Sequence, residues 1–589
     1  MAVYYIAIAI AALFSVPTHA RVVVHPKAVP NSYQNTKTYN AQKIKKKQFV
    51  NQVIQNHSSA YVKQTGFHGQ LSTVSFRGLS AAHTLVLLDG IPLNGSSDGL
   101  FDFSILQSKS IDSVKITPGS SSVLYGPYAT GGVLELTSHQ AVKNQKTLQA
   151  EGGSFHTLNG YAGLDRVYDC GNYTVYTEGY RTDGLPKQED TRILGERNKA
   201  SNGGGGAYLN HHFRKTDLSV FFKGTASNLK YDANTSNIPP KPQDNQYRNC
   251  TLLGTKLTSD SHNYQGHHDL LMARFNDYRN YGGPSFTDHS RHYGTYNFTY
   301  YGFKNGESHF VFTGDHESLK QANLFKKERV TIGTAASHNH LILQNLFIDL
   351  GVRNDHLKRY KNHQTYSSGI RYRLNQATFF ISYRTGFRPP TLNDLYQENN
   401  FVEANRNLNP EKSGSTEMGV KLNLGHYKLQ LSYYQSLVKN MLVTTKQENQ
   451  KYKTYNVQGD TRIDGIDVQQ SLITGDTLDL SLGYSFINFD RLEPGVASEI
   501  PRHKINGSIN WKISEKWESE ISGQWVGNRK SGSTLLRNYT VVNFNLTHHL
   551  NASSFVYLKI NNLFDERYTA VKGYRSPRQE VYVGTILTF

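Results

Sequence analysis

Cysteine is almost missing from this chain of 589 residues: only Cys170 and Cys250 are present. Two cysteines make neither a disulfide framework nor a zinc site. Whether they pair in an oxidising compartment stays open, because the sequence does not give their distance. Methionine (4) and tryptophan (3) are also scarce. After residue 20 no apolar run reaches the length of a membrane helix, about 18 residues or more. No Gly-rich stretch is followed by a phosphate-loop lysine, so ATP use by the chain is not expected. The net charge is +18 and the pI about 9.4, yet there is no zinc-finger spacing and no helix-turn-helix pattern, which argues against nucleic acid. The one dense basic run, Lys43-Ile44-Lys45-Lys46-Lys47, reads as a solvated helix face.

What the chain has in quantity is tyrosine (38) and glycine (49), with a mean hydropathy of −0.56. These suit a protein made mostly of β-strands. Period-two alternation then recurs along the sequence. "HYKLQLSYY" sets Tyr427, Leu429, Leu431 and Tyr433 against Lys428, Gln430 and Ser432. "TLDLSLGYSF" sets Leu478, Leu480, Leu482, Tyr484 and Phe486 against polar or small neighbours, and "VVNFNLT" and "GVKLNLG" repeat the pattern. Each segment carries one apolar and one polar face. A soluble sandwich would turn the apolar face inward, and a transmembrane barrel would turn it outward to lipid. Repetition to the last residues, "VYVGTILTF", with Val581, Val583, Thr585, Leu587 and the terminal Phe589 on one face, favours the barrel. The polar insertion Asp232–Asn249 reads as an extracellular loop.

The N-terminus, "MAVYYIAIAIAALFSVPTHA", is apolar from Val3 to Val16 and then meets Pro17. It reads as a signal peptide over residues 1–20, cleaved after Ala20, rather than a membrane anchor. No Lys or Arg precedes the apolar core, which fits either a start further upstream or an atypical signal.

Residues 35–141 differ in pattern from the rest of the chain. Lys43–Gln55 predicts a short helix with Ile44, Phe49, Val50, Val53 and Ile54 apolar. Short strands come next in "STVSFRG", "HTLVLLDG" and "SVKITPG". The run Leu85-Val86-Leu87-Leu88 is continuous rather than alternating, which predicts burial on both faces. The expected fold is mainly β: a compact mixed α/β domain over 35–141 filling a transmembrane antiparallel barrel over 142–589, of about 22 strands, the class of barrel whose lumen is plugged.

Several motifs stand in order. They are "STVSFRGLSAAHTLVLLDGIPLNG" (72–95), "SVLYGPYATGGVLELTS" (122–138), "SYRTGFRPPTLNDLY" (382–396), "NRNLNPEKS" (405–413) and "KINNLFDERY" (559–568). On these the chain resembles the TonB-dependent outer-membrane receptors of Gram-negative bacteria, over nearly its whole length after residue 20. Within the family, plug spacing, size and the ending most resemble the cobalamin (vitamin B12) receptors, with ferric-siderophore or other metal-complex receptors as the competitor. The resemblance implies a monomeric importer, without catalytic residues or cofactor, that works with TonB and its ExbB/ExbD energy complex. Contact with outer-membrane lipid and anionic lipopolysaccharide is one account of the positive charge.

The resemblance also implies site residues. A coupling segment for TonB is expected in residues 21–34, at Val22, Val23 and Val24; an extended β-branched run can add to a sheet edge. The plug loop Asn94, Gly95, Ser96, Ser97, Asp98 and Gly99 is expected to face the ligand. Arg77 is expected to pair with barrel acids; Glu417 matches a family acid, and Asp467 stands where a glutamate is usual. The family's second plug arginine is missing, because Pro118-Gly119 occupies its place. One plug–barrel charge contact should therefore be lost or rearranged, with a compensating change, since a one-sided break of a buried pair is expensive. Haem receptors usually carry a histidine between the "FRPP" and "NLNP" motifs, and residues 389–407 hold none.

Two other chemistries have candidate residues. The histidine clusters His262/His267/His268, His289/His292 and His338/His340 could gather a metal. They lack strong ligand spacing and read as solvated loop residues. "GSSDG" (95–99) fits the G-x-S-x-G pattern, but no clear helix comes after it, so a barrel esterase is a remote alternative.

Overall fold

The computed structural model describes residues 36–185, 198–230, 245–261, 265–282, 285–490 and 499–589. The leader, Val22–Val24 and His262 lie outside the described residues. Twenty-two strands, from Gln145–Gly153 to Glu580–Thr588, form one closed antiparallel barrel in which each pairs with the next. The last strand closes on the first, with Val583 opposite Gly152. Closure leaves no unpaired edge, the condition for a sheet to sit in lipid. Strand lengths run from 7 residues (Phe555–Asn561) to 19 (Phe325–Leu343). No helix among the described residues is long and apolar enough to cross a membrane.

The alternation in sequence becomes two surfaces. On strand Tyr427–Lys439, Leu431 and Tyr433 point outward and are exposed, while Ser432 and Tyr434 point into the lumen and are fully buried. Leu253, Met272, Ile332, Leu350 and Val583 are likewise exposed on the outside. One end of the barrel has tight turns, such as the one at Gly425 joining Leu424 to Tyr427. The other carries long connections, including residues 389–410 with their short helix Leu392–Tyr396 and capping box of Thr391 and Asp394. The insertion expected over 232–249 is shorter than its sequence suggests: a barrel strand, Asn245–Ser261, already contains its last five residues.

Within the lumen sits the smaller α/β domain. Its elements are β1 (Lys37–Asn40), α1 (Ala41–Ile44), α2 (Asn51–Ile54), β2 (Ala60–Gln64), β3 (Ser72–Phe76), β4 (Thr84–Leu88), β5 (Ile91–Pro92), β6 (Ile111–Pro118), α3 (Ser122–Tyr125) and β7 (Gly132–Ser138). The main sheet has the order β1-β6-β7-β4-β5, and β2 and β3 form a separate hairpin. β4 lies parallel to β7 and antiparallel to β5, and all five of its residues are buried, as its unbroken apolar run implied. The domain's core is continuous with lumen-facing apolar residues of the barrel, Tyr208, Phe221, Leu252, Leu271 and Phe275.

Two expectations need correction. The stretch 43–55 is not one helix but two single turns, α1 and α2. Its apolar residues are buried as expected. The helix is interrupted because the backbone between the turns is taken by the neighbouring segment: Ser108 Oγ donates to Lys47 O, and Lys109 Nζ to Lys45 O. Nor is the basic run a solvated face. Lys43 pairs with Asp479 (3.0 Å), Lys45 with Asp112 (3.1 Å), Lys46 with Glu518 (2.8 Å) and Lys47 with Glu520 (3.3 Å). Three of these four acids belong to the barrel, so the run stitches the plug to the wall.

Candidate functional site

Arg77 follows β3 in a left-handed conformation (φ 49°), with Gly78 (φ 82°) next to it. This turn aims the guanidinium at the wall. Nη2 and Nη1 donate to the two oxygens of Glu417 (2.7 and 3.1 Å), Nε donates to Asp467 (3.1 Å), and the ring of Tyr434 lies 4.3 Å from the guanidinium carbon. All four side chains are buried. Burial opposes the charge of Arg77, but Glu417 and then Asp467 outweigh it and hold the group protonated above its usual range.

The place of the missing arginine is now clear. Gly119 (φ +86°) lies so close that a Cβ there would stand 2.9 Å from Nη1 of Arg77. Glycine leaves room for one guanidinium to fork onto both acids, a bidentate geometry that arginine suits and lysine does not. The barrel also supplies Arg384, whose Nη1 is 3.8 Å from Glu417. From the plug, Arg77 reaches both acids, and the wall's own Arg384 adds charge beside Glu417.

The loop Asn94–Gly99 is placed at the long-connection side of the plug, but most of it is buried. Asn94 is engaged inside the plug: it accepts from Val86 N (2.9 Å) and donates to Thr84 O (2.9 Å) and Gly99 O (2.8 Å). Ser96 O accepts from Leu392 N of the covering helix (3.0 Å). Gly95 and Ser97 are buried as well, and a Cβ on Gly99 would meet Ala82 and Thr391. Asp98, half-buried, reaches Arg279 (3.3 Å). "GSSDG" is followed by no α-helix but by the short 3-10 turn Phe103–Ile105, so it is not a nucleophile elbow.

Sequence reasoning missed a set of lumen arginines that grip this loop and its neighbours. Arg291 donates to Pro92 O (3.0 Å) and Asn94 O (2.9 Å) while pairing with Asp315 (3.1 Å) and Glu317. Arg329 bonds Glu317 (2.8 Å), Pro390 O (3.0 Å) and Tyr128 Oη. Arg248 links plug Asp102 (3.0 Å) to Asp277 (2.8 Å), and Glu411 holds both Arg388 (2.6 Å) and plug His83 (2.7 Å). Register rows could have shown part of this, for Arg291, Glu317 and Arg329 sit directly opposite one another on three successive strands.

Two plug motifs also find a physical role. Asp89 of "LLDG" accepts from both Ser138 N (2.9 Å) and Ser138 Oγ (2.5 Å), tying the turn after β4 to the end of β7. Burial pushes its carboxyl up to about 6 against those hydrogen bonds. In the Gly-rich turn before β7, a Cβ on Gly132 would lie 2.7 Å from the Phe76 ring, so the glycine permits close backbone approach. Lys109, beside Lys45 O, is pushed down to about 7 by burial and by nearby Lys559.

The histidines expected in solvated loops lie instead on barrel strands, because the alternating segments run through them: His267 and His268 on Gly266–Asn280, His289 and His292 on Phe286–Phe303, His338 and His340 on Phe325–Leu343, with His289 buried. Cys250 is buried with its Sγ on Asp277 (3.3 Å), Cys170 lies in the turn between strands Thr157–Tyr168 and Gly171–Thr182, and no disulfide joins them. Among the described residues no group of three or more His, Cys, Asp or Glu is placed to hold a metal.

Comparison with known proteins agrees with this geometry. Residues 28–133 match the TonB-dependent receptor plug domain, and residues 139–563 match the TonB-dependent receptor-like β-barrel. The vitamin B12 transporter BtuB of Vibrio vulnificus (strain YJ016) is 23% identical over 562 residues, covering 89% of this chain and 86% of its own. Among solved structures, the ferric enterobactin receptor PfeA of Pseudomonas aeruginosa superposes with a TM-score of 0.80 at 15% identity, over 94% of this chain and 99% of that one. The FrpB iron transporter from Neisseria meningitidis gives 0.82 at 13%, over 95% and 100%. A plug docked by buried ion pairs in a closed 22-stranded barrel, with family domains matched over both parts, makes this chain a member of the TonB-dependent receptor family, whose fold is that of a Gram-negative outer-membrane protein.

Proposed function

We propose that the chain imports a scarce, large nutrient across the outer membrane by TonB-coupled active transport, and that this nutrient is cobalamin. The observation that carries the transport reading is the filled lumen: Arg77, Arg248 and Arg291 join plug to wall through buried bonds, so passage needs work done on the plug. Cobalamin is supported by the BtuB relatives, similar over 89% of the chain. A ferric siderophore is the second reading, favoured by structural neighbours named as siderophore or iron receptors. Val22–Val24 would pair as a strand with TonB, driven by ExbB/ExbD. Of the rim loop, Asp98 is the residue best exposed to meet ligand. The positive charge would meet the phosphates of lipopolysaccharide, and the receptor would act as a monomer without catalytic chemistry. The test is ligand binding by the purified receptor, read by fluorescence quenching. Saturable quenching by cyanocobalamin is expected; quenching by ferric siderophores alone overturns the cobalamin reading. Deleting Val22–Val24 should abolish uptake and leave binding intact.

A further inference from the structure

Two cavities flank one short segment of the plug, residues 55–60, which runs from the end of α2 to the first residue of β2. The first, about 120 Å³, lies between the plug and the wall formed by the strands from His503–Lys512 to Glu580–Thr588, and it reaches Ala570 and Ser576 in the last long connection. The second, about 340 Å³, opens at the tight-turn end beside Thr36, Asn423 and Lys428. Asn56 lines both, so this segment is the partition between them.

The plug's β2–β3 hairpin holds the end of the partition, with Ala60 opposite Phe76, and the wall holds the rest. Lys504 Nζ donates to three carbonyls, those of Gln55 (2.8 Å), His57 (2.8 Å) and Ala60 (2.6 Å). Asn506 Nδ2 donates to Asn56 O (2.6 Å), and Gln469 Nε2 reaches His57 Nε2 (2.9 Å) and Ser58 Oγ (3.2 Å). Side chains on two strands thus reach five of the six residues through hydrogen bonds that a polar solute or water could replace.

The lining is unusual in kind. Ten of the 26 residues around the first cavity are Asn or Gln. Most of its charges have a partner: Lys47 meets Glu520, Lys559 meets Glu151 and Glu580 meets His68, while Lys504 rests on the three carbonyls. Two buried carboxamide oxygens, of Gln48 at the first cavity and Asn506 at the second, have no hydrogen-bond partner. A surface of carboxamides with few unpaired charges favours a solute rich in amide and hydroxyl groups, because each group shed from water finds a donor or acceptor.

We propose that the imported ligand crosses the lumen along this carboxamide-lined wall, and that residues 55–60 are its gate, held shut by Lys504, Asn506 and Gln469. The inference rests on the import reading, but its first test needs no ligand. Purified full-length receptor in planar lipid bilayers should be silent as wild type and as Arg291→Met, which cuts plug contacts on the opposite wall. The combined Lys504→Met, Asn506→Leu, Gln469→Leu variant should show discrete conductance. Silence of the triple variant, or equal conductance from Arg291→Met, overturns the proposal. The second test locks the gate. The Cβ of Ser58 lies 3.0 Å from the position a Cβ would take on Gly483, so Ser58→Cys with Gly483→Cys should form a tether. Val123→Cys with Gly351→Cys, also in contact, ties the plug to another wall. Cells carrying the first pair should lose cyanocobalamin or ferric enterobactin uptake when oxidised and regain it on reduction, while the second pair continues to import. Loss with both tethers means that the whole plug must leave, and uptake through an oxidised first tether means another path; either result overturns the gate. Should the untethered receptor import neither ligand, the import reading fails by itself, and the conductance still decides the gate.

Discussion

The plug meets two different walls. From strand Asn245–Ser261 round to Glu411–Leu424, arginines and carboxylates grip it: Arg248, Arg291, Arg329 and Arg388, each buried or nearly so with an acid partner. An apolar seam of Leu252, Leu271 and Phe275 joins the plug core on the same side. From Asp460–Thr474 round to Glu580–Thr588, Leu79 packs on Ile463, Ile487 and Phe489 and Asp467 meets Arg77, but beyond Leu478–Asp490 the contacts are mainly carboxamides, a lysine on bare carbonyls and lysine–acid pairs at the tight-turn rim. The difference is one of chemistry rather than number. A forked guanidinium in a dry, packed interface must be matched group for group, whereas amide and lysine contacts beside a cavity exchange with water. One wall is built to hold and the other to yield.

Arg77 stands where the two walls meet, so removing it should give the largest effect. Arg77→Met leaves Glu417 and Asp467 buried without their cation, at a cost of about 3–5 kcal/mol. Urea unfolding of the detergent-solubilised receptor should show it, with the plug becoming open to protease. Adding Glu417→Gln and Asp467→Asn should recover much of the loss. Next comes the holding wall itself. Arg291→Met removes two bonds to plug carbonyls, while Arg329 still neutralises Glu317. A loss of about 2–3 kcal/mol is expected, in the range for hydrogen bonds to charged groups. If Lys504→Met costs as much as Arg291→Met in the same assay, the contrast between the walls fails.

A smaller effect concerns pH. Asp89 is raised to about 6 in the folded plug from an ordinary value of 3.8, so the folded state binds the proton more tightly than the unfolded chain. Its contribution to stability is complete below about pH 4 and is lost as the pH rises through about 6, about 3 kcal/mol in all, of which about 2 kcal/mol falls between pH 4 and pH 6. Asp89→Asn should flatten the thermal midpoint between pH 4 and pH 6, whereas wild type declines. The smallest effect is expected for Gly119→Ala, with a left-handed φ and an arginine nitrogen 2.9 Å from the new methyl: about 1–2 kcal/mol, read as a lowered unfolding midpoint. A larger drop would mean that Arg77 lost its fork.

Much of the architecture was legible in the residues. The outward and inward faces of Tyr427–Lys439 and Leu478–Asp490 follow from strict alternation, and the buried β4 from its unbroken apolar run. The single helix expected over 43–55 does not form although its apolar positions recur as in a helix, because the backbone between α1 and α2 is claimed by Ser108 and Lys109. The pairing of the basic run was hidden for a similar reason: its partners Asp479, Glu518 and Glu520 lie more than 400 positions away. Within Asn94–Gly99 the sequence offers six small or polar residues of equal promise, yet Asn94 is used up inside the plug and Asp98 alone is half-open.

By itself the amino-acid order determined that this chain is a lipid-facing barrel around a mixed domain, because side-chain direction in a strand has a period of two and needs no partner to be read. The motifs around Arg77 and Asp89 also announced the plug. Beyond the pairing of Arg77 that the resemblance implied, only the tertiary structure decided which charges meet and how. Arg77 takes both acids because Gly119 vacates the space beside it, and Lys504 becomes a clasp because its strand passes the end of α2. Such pairings depend on which residues the closed barrel brings within hydrogen-bond distance, and a bond of about 3 Å between positions hundreds of residues apart leaves no local trace in the sequence.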